Sequence, residues 1–342
     1  MKCYHLGFTD SGEPVSWISM MNNHLMATGV SGSGKSFLLK SLAIQSQRLG
    51  ELIVVLDYTG DWTGAFCQQD CNALALNFRY LNVRFSGFSF NPLWPQRLPS
   101  GYYETPSDVG NRVAGGLQRG FHLHTAQRTH LANLICELCC NWGASLSLPG
   151  LIDYAGHKKN VRQYEAPMAR LIQLVNTVYC GPEPTMLDLS TPGILVLDLN
   201  DIREPDLQIV VAELLLDSMW SLRDTGHGTT PVNFILDEAH RLSFQEGGAI
   251  HRLLREGRKF GYSVWMATQY MTNKEMADAV SMADLQAIFR PPTEQIHSTA
   301  VKLVGGRIEI VCEVEDALMK LNRGQFIFRD NEGRLRRVTV RS

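Results

Sequence analysis

Gly29, Gly34, Lys35 and Ser36 stand at the spacing G-x-x-x-x-G-K-[S/T] within "GVSGSGKS", residues 29–36. A glycine-rich loop of this kind can turn backbone N–H groups inward around a phosphate, and a helix opening behind it adds its positive end. Gly29, Ser31, Gly32, Ser33, Gly34, Lys35, Ser36 and Phe37 therefore form the candidate phosphate-binding stretch. The Lys35 ammonium is expected to reach the β- and γ-phosphates, and the Ser36 hydroxyl to ligate magnesium. Hydrolysis needs a second, acidic site, and "VNFILDEAH" offers one. Asp237 ends its apolar run, placed to hold the metal; Glu238 follows, placed to polarise an attacking water as general base. "SVWMATQ" supplies a third piece: Gln269 can sense the γ-phosphate or orient water, or cap its strand. Asp57 repeats the pattern of a polar residue closing an apolar run, in "VVLDYTGDW".

Such residues meet only if the runs that carry them share a sheet. "HLMAT" (24–28) precedes the loop and "SFLLKSLAIQSQRL" (36–49), rich in helix formers, follows it. "LIVVL" (52–56), "ILVLDL" (194–199), "VNFIL" (232–236), "SVWMA" (263–267), "LQAIF" (285–289) and "QFIFR" (325–329) are short and apolar throughout. Strands apolar on both faces belong to buried, largely parallel sheets, and their alternation with helices predicts an α/β fold. In an open sheet of this class the ligand lies outside the carboxyl ends of the strands, where the polar residues above fall.

The stretch from about 85 to 190 differs in character. It opens on turn-rich "NPLWPQRLPSGYYETPSD", continues with helical patterns around 108–119, 125–142, 147–156 and 163–180, and closes at "CGPEPT" (180–185). It reads as a helical insertion between two strands. Residues 1–23 leave room for a hairpin or arm about the turn "DSGE", and 24–342 form the main domain.

Lys plus Arg total 32 against 34 Asp plus Glu, which excludes a generally basic nucleic-acid coat but not a local basic strip. No apolar run approaches the ~20 residues of a membrane span, and the N-terminus lacks a signal-peptide core; both favour a cytoplasmic, membrane-free setting. Cys67, Cys71, Cys136, Cys139 and Cys140 could in principle join a zinc site. Cys136 and Cys140 share a helical face with nearby leucines, however, and read as core packing. His122, His124 and His130 lack metal-site spacing and read as surface or capping residues.

Taken together, "TGVSGSGKS", "IVVLDYTGDW", "ILVLDL" with "VAELLLDSMW", "FILDEAHRL", "REGRKFGYSVWMATQ" and "LNRGQFIFRD" resemble the HerA/FtsK superfamily of P-loop motor ATPases, HerA-like members most closely. "GRKFG" leading into a strand that ends "ATQ" is the discriminating feature. The resemblance implies a RecA-like core with a mostly parallel sheet, ATP and Mg2+ as ligands, a hexameric ring and double-stranded DNA in its channel. It also implies an arginine finger supplied by a neighbour near "GRK". Arg258 is the first candidate and Arg255 the second, both on a helix expected over 250–259. Either could instead face solvent, and Arg252, Arg255 and Lys259 share a face that could grip DNA phosphates. Unlike cellular HerA-like motors, this sequence has no room for a β-barrel ahead of the loop.

The leading functional expectation is a DNA translocase working with a nuclease or other effector, in DNA processing or anti-phage defence. A conjugation, secretion or viral packaging ATPase is one alternative; an ATP-switched scaffold ring is another. Arg203 and Arg241, on loops after core strands, are candidate DNA-phosphate contacts or surface ion pairs. Lys158, Lys159 and Arg162 form a basic patch that reads as a solvated face.

Overall fold

The computed structural model describes residues 2–19, 24–63, 66, 74, 76–86, 91–98, 100–141, 146–158, 161–178, 187–224, 230–269, 274–305 and 308–340. The chain begins with strands β1 (Lys2–Phe8), β2 (Pro14–Ser19) and β3 (Leu25–Thr28), then helix α1 (Lys35–Arg48), β4 (Leu52–Asp57) and β5 (Phe78–Asn82). A helical stretch follows: α2 (Val83–Ser86), α3 (Pro106–Phe121), α4 (Thr125–Asn141), α5 (Leu148–Gly156) and α6 (Glu165–Thr177). The chain then alternates β6 (Gly193–Asp198), α7 (Pro205–Asp224), β7 (Val232–Leu236), α8 (Ala249–Glu256), β8 (Tyr262–Thr268), α9 (Lys274–Ser281) and β9 (Leu285–Phe289). Helices α10 (Ile296–Val304) and α11 (Val311–Met319) and strands β10 (Gln325–Arg329) and β11 (Leu335–Thr339) complete it.

One 11-stranded sheet runs β2-β1-β11-β10-β9-β3-β8-β7-β4-β6-β5. From β9 to β5 every neighbouring pair is parallel, whereas β10, β11, β1 and β2 are added antiparallel. Strands β4, β6, β7 and β8 are buried along their whole length, which is why they lack the alternation of a one-sided strand. On one face α1 packs Leu38, Leu39 and Leu42 against Ala27, Val55, Ile235 and Trp265. The opposite face lays Met26, Val54, Leu56 and Phe234 beneath the apolar sides of α3, α4, α7 and α8. Helices α10 and α11 cover Ile288 and Ile327 on β9 and β10.

Strands β5 and β11 are not legible in the sequence. Both are partly exposed, so "FRYLN" and "LRRVT" carry polar residues among apolar ones and give no continuous run. The hairpin β1–β2 turns about residues 10–13 and pairs through β11 with the sheet. Buried Glu51 anchors it, accepting hydrogen bonds from Lys2, Tyr4, Ser46 and, at 2.7 Å, Asn233 Nδ2.

The insertion lies between β5 and β6, and local chemistry sets its helix ends. Thr105 and Asp108 form a capping box ahead of α3, with Pro106 in its first turn. Ser147 caps α5 by accepting the Gly150 N–H at 3.1 Å. The last of the four starts later than its pattern suggests, with a 3₁₀ turn over 161–164 before α6, and "CGPEPT" lies outside the described residues. Buried ion pairs fasten the insertion to the core. Arg112 on α3 pairs with Glu104 at 2.8 Å and Asp217 at 3.4 Å, and Asp217 also holds Arg252 of α8. Arg119 pairs with Glu213, whose carboxylate accepts the Ala249 N–H that opens α8 at 3.1 Å.

Candidate functional site

The glycine loop joins β3 to α1 at the carboxyl edge of the sheet. Two of its glycines are required by close approach and by positive φ. A Cβ on Gly29 (φ 148°) would stand 2.6 Å from the Phe289 Cβ, and one on Gly34 (φ 114°) would stand 3.1 Å from the Gly324 Cα. The loop is pinned from outside: Val30 N–H donates to the Arg290 carbonyl at 2.9 Å, and Gly324 N–H to the Ser33 carbonyl at 2.8 Å. The first N–H groups of α1 have no acceptor within the helix, which leaves them free for an anion. Ser31 and Gly32 are exposed at its tip, Ser33 and Lys35 are buried, and Phe37 points outward. Lys35 folds back across the loop, its Nζ 2.8 Å from the Gly29 oxygen and 2.9 Å from that of Val30. Burial lowers the Lys35 pKa, and the facing charges of Glu238 and Asp237 oppose that shift.

Asp237 lies buried at the end of β7, beside the loop. It accepts from the Ser36 hydroxyl and from the Trp62 indole N–H, at 3.2 Å. Burial raises its pKa; those two hydrogen bonds partly offset the rise. Asp57 contributes one step removed. Its carboxylate accepts the N–H groups of Thr59, Gly60 and Trp62 at 3.1, 3.0 and 3.0 Å, and so shapes the turn that delivers Trp62 to Asp237. The Ser36 and Asp237 oxygens are a hard donor set of the kind Mg2+ takes, and they adjoin the loop that Lys35 folds across.

Glu238 adopts the left-handed conformation, φ 56° and ψ 44°. Held in a sparsely populated region, a non-glycine residue costs about 1–3 kcal/mol and is kept there by its surroundings. Those surroundings are Gln269, whose Nε2 donates at 3.0 and 3.3 Å to the two carboxylate oxygens, and His240, whose Nδ1 lies 3.3 Å from Oε2. For Gln269 the geometry displays a contact with Glu238, which is not among the roles expected from the sequence. Lys35, Ser36, Asp237, Glu238 and Gln269 thus come together from α1, β7 and β8. The set can cradle a polyphosphate, hold a divalent cation and activate a water beside it.

Arg258 is elsewhere. The expected helix over 250–259 ends at Glu256, because Gly257 begins a tight 3₁₀ turn, 257–260, that feeds β8. Arg258 sits on that turn, at the opposite end of β8 from Gln269. A strand of this length spans ~20 Å, so Arg258 cannot serve its own chain's loop. It pairs with Asp284 and donates to the Met282 carbonyl at 3.3 Å. Arg255 and Lys259 are exposed, but Arg252 is not available to nucleic acid, since Asp217 and the Trp220 ring hold it. Lys158 is likewise neutralised, by Glu137, while Arg162 is exposed and Lys159 lies outside the described residues. Arg203 and Arg241 come together across 38 residues of sequence: with Tyr58, Asn200 and His240 they line one cavity of about 660 Å³. Neither forms an ion pair among the described residues.

The cysteine reading needs correction. On α4 the buried face is Leu131, Leu134, Ile135 and Leu138, and Cys139 packs against it, whereas Cys136 is half-exposed and Cys140 exposed. The helix is rotated by about one position from the face that the leucine spacing suggested. Cys67 and Cys71 lie outside the described residues, and no group of three metal-ligating side chains is gathered among those described. His122 ends α3 in the left-handed conformation, φ 53°. No helix among the described residues is long and apolar enough to cross a membrane.

Trp62, His240 and Gly324 belong to the site and are not singled out by sequence reasoning. Trp62 and His240 sit within motifs that are readable, "LDYTGDW" and "LDEAH", but no local pattern says that they turn toward Asp237 and Glu238. Gly324 reaches Ser33 over some 290 residues of chain.

A family model, the DNA-binding domain of type IV secretion-system coupling proteins, matches residues 12–77, the stretch that holds the loop, α1 and β4. No curated protein matches the chain. The whole fold is similar to VirB4 of Thermoanaerobacter pseudethanolicus, with a TM-score of 0.79 at 16% identity, covering 100% of this chain and 97% of that one. It is also similar to the bacterial conjugative coupling protein TrwBΔN70 in its unbound form, with a TM-score of 0.63 at 15% identity, covering 98% and 88%. The plasmid coupling protein TrwB in complex with ADP and Mg2+ gives a TM-score of 0.63 at 15% identity, covering 98% and 89%. The likeness is one of fold: a RecA-like P-loop NTPase, mixed α/β, with a mostly parallel sheet.

Proposed function

We propose that this chain is an ATP-hydrolysing motor subunit of the kind that drives DNA transfer or secretion in bacterial conjugation. The observation that carries the reading is the convergence of Lys35, Ser36 and Asp237 with a Glu238 held in a strained conformation by Gln269. A chain that merely bound nucleotide would have no use for that constraint. In this reading Lys35 leaves the Gly29 and Val30 carbonyls to contact the β- and γ-phosphates of ATP. Ser36 and Asp237 hold Mg2+, which when bound supplies charge neutralisation at the phosphates. Glu238 takes the proton of the attacking water, and Gln269 keeps its carboxylate aimed.

The coupling-protein match over 12–77 and the likeness to VirB4 and TrwB favour DNA transfer or secretion as the setting. The HerA-like reading, with a nuclease partner in DNA processing or defence, is the same motor with another cargo. Both call for a ring of about six subunits. Arg258, remote from its own loop, is then the group offered to the neighbour's γ-phosphate; such a finger is worth about 10³–10⁵ in rate. Arg203 and Arg241, unpaired and adjacent, suit consecutive phosphates of a DNA backbone.

The test is ATP hydrolysis with and without linear double-stranded DNA, wild type beside Glu238→Gln, with particle mass measured on the same samples. DNA-stimulated turnover in a ring, abolished by the substitution, supports the motor. An intact ring with no turnover and no response to DNA would reject it in favour of an ATP-switched scaffold.

A further inference from the structure

A cavity of about 560 Å³ lies beside the glycine loop but outside its cradle. It sits under α9 and α10, over Met26 of β3 and Gln286 of β9, which are register partners. Residues alternate between faces along a strand. Ala27 and Ala287, one position on, pack with α1, so the cavity is on the opposite face. Gly29 of the loop and Gln269, which donates to Glu238, are among the residues that line it. Exposed Lys302 and partly buried Arg329 also line it.

The charge pattern is one-sided. No Asp or Glu among the described residues lines this cavity, whereas two cations and several amides and hydroxyls do. Neither Lys302 nor Arg329 forms an ion pair among the described residues, and the Arg329 Nε is buried without a hydrogen-bond partner. A buried, unsatisfied guanidinium nitrogen is costly; a water relieves it, and an anion does so with the added gain of charge. Arg329 and Leu303 also border a second cavity, of about 510 Å³, that continues to Gly333 and Arg334. The two spaces therefore adjoin at the arginine.

We infer that the first cavity is a second phosphate site, the station that receives the γ-phosphate as inorganic phosphate once it is cleaved, with Arg329 passing it on toward the second cavity. The inference rests on the ATPase reading. It adds a ligand and two residues that hydrolysis itself does not use. Separate anion sites for the bound nucleotide and for departing phosphate would let product leave past Gln269 without crossing the occupied loop.

The experiment is calorimetric titration of inorganic phosphate into the full chain saturated with the Mg2+ complex of a non-hydrolysable ATP analogue, so that the loop is filled through its γ-phosphate position. One phosphate is expected to bind the wild type. Lys302→Gln and Arg329→Gln are expected to weaken it at least tenfold, and Arg329→Lys to retain it. Lys302 is exposed, so its substitution leaves the fold intact even if that of Arg329 does not. No phosphate uptake with the loop filled, or equal affinity in all four chains, overturns the inference. A short DNA duplex that displaces the phosphate would assign the site to backbone phosphates and overturn the exit role. Failure to bind the ATP analogue in the first stage would instead count against the ATPase reading.

Discussion

Gln269 donates its side-chain amide to both carboxylate oxygens of Glu238, at 3.0 and 3.3 Å, joining the ends of β8 and β7. A carboxylate in a left-handed backbone position with no such clamp would rotate away from the loop. Glu238→Gln is expected to lower single-turnover ATP cleavage by about 10²–10⁴. Gln269→Ala, which spares the base but loosens it, is expected to cost on the order of 10²-fold. Both should bind a fluorescent ATP analogue as the wild type does. Normal cleavage in Gln269→Ala would mean that the contact is incidental.

Trp62 reaches Asp237 by one hydrogen bond, and its removal tests whether that carboxylate holds the metal. Trp62→Phe keeps the ring but deletes the donor, leaving Asp237 less stabilised in its charged form. The Mg2+ concentration for half-maximal hydrolysis should rise about 10–100-fold. The Asp237 pKa, already raised by burial, should rise further, moving the acid limb of the pH profile to higher pH. A changed maximal rate at unchanged Mg2+ requirement would count against a metal role for Asp237.

Arg258 and the glycine loop stand at opposite ends of β8, so a finger role requires a second copy. Arg258→Ala alone should reduce turnover by about 10³ or more. Mixing it with Lys35→Ala subunits creates interfaces with an intact loop from one chain and an intact arginine from the other. Activity in the mixture above that of either variant alone is the expected result. Absence of recovery in verified mixed rings would remove Arg258 from the site and turn attention to Arg255.

His24 makes the fold sensitive to acid. It is fully buried at the start of β3 and accepts the Val264 N–H at 3.0 Å through Nδ1, so protonation both desolvates a charge and breaks a contact. Burial depresses its pKa to about 4 from 6.5, with the nearby Arg258 adding to the shift and Asp284 opposing it. Because the unfolded chain binds this proton first, stability is complete above pH 6.5 and is lost as pH falls toward 4. The loss is on the order of 3 kcal/mol. Urea unfolding across this range should show a shallower pH slope for His24→Gln, despite lower stability at pH 7. Parallel slopes would rule the histidine out.

The sequence alone carried the loop with Ser36, the Asp237–Glu238 pair and the order of buried strands along the chain. Each is written in a contiguous stretch: glycines set by backbone conformation, apolar runs set by burial on two faces. The insertion's helices around 108–119, 125–142 and 147–156 were legible as well, but the capping by Thr105 and Ser147 that sets two of their starts was seen only in the structure. Strand β5, at the sheet's edge, and β11, between β1 and β10, were not legible, because partial exposure removes the continuous apolar signal. Only the tertiary structure decided what side chains from distant segments meet. It gave Trp62 to Asp237 and Gln269 to Glu238, and put Arg252, a candidate DNA contact, and Lys158, expected on a solvated face, into ion pairs. It set Arg258 at the far edge of the sheet, where a one-turn change from α-helix to 3₁₀ leaves no sequence periodicity to read. Partners of that kind are fixed by the register of parallel strands tens of residues apart, and no local pattern encodes that register.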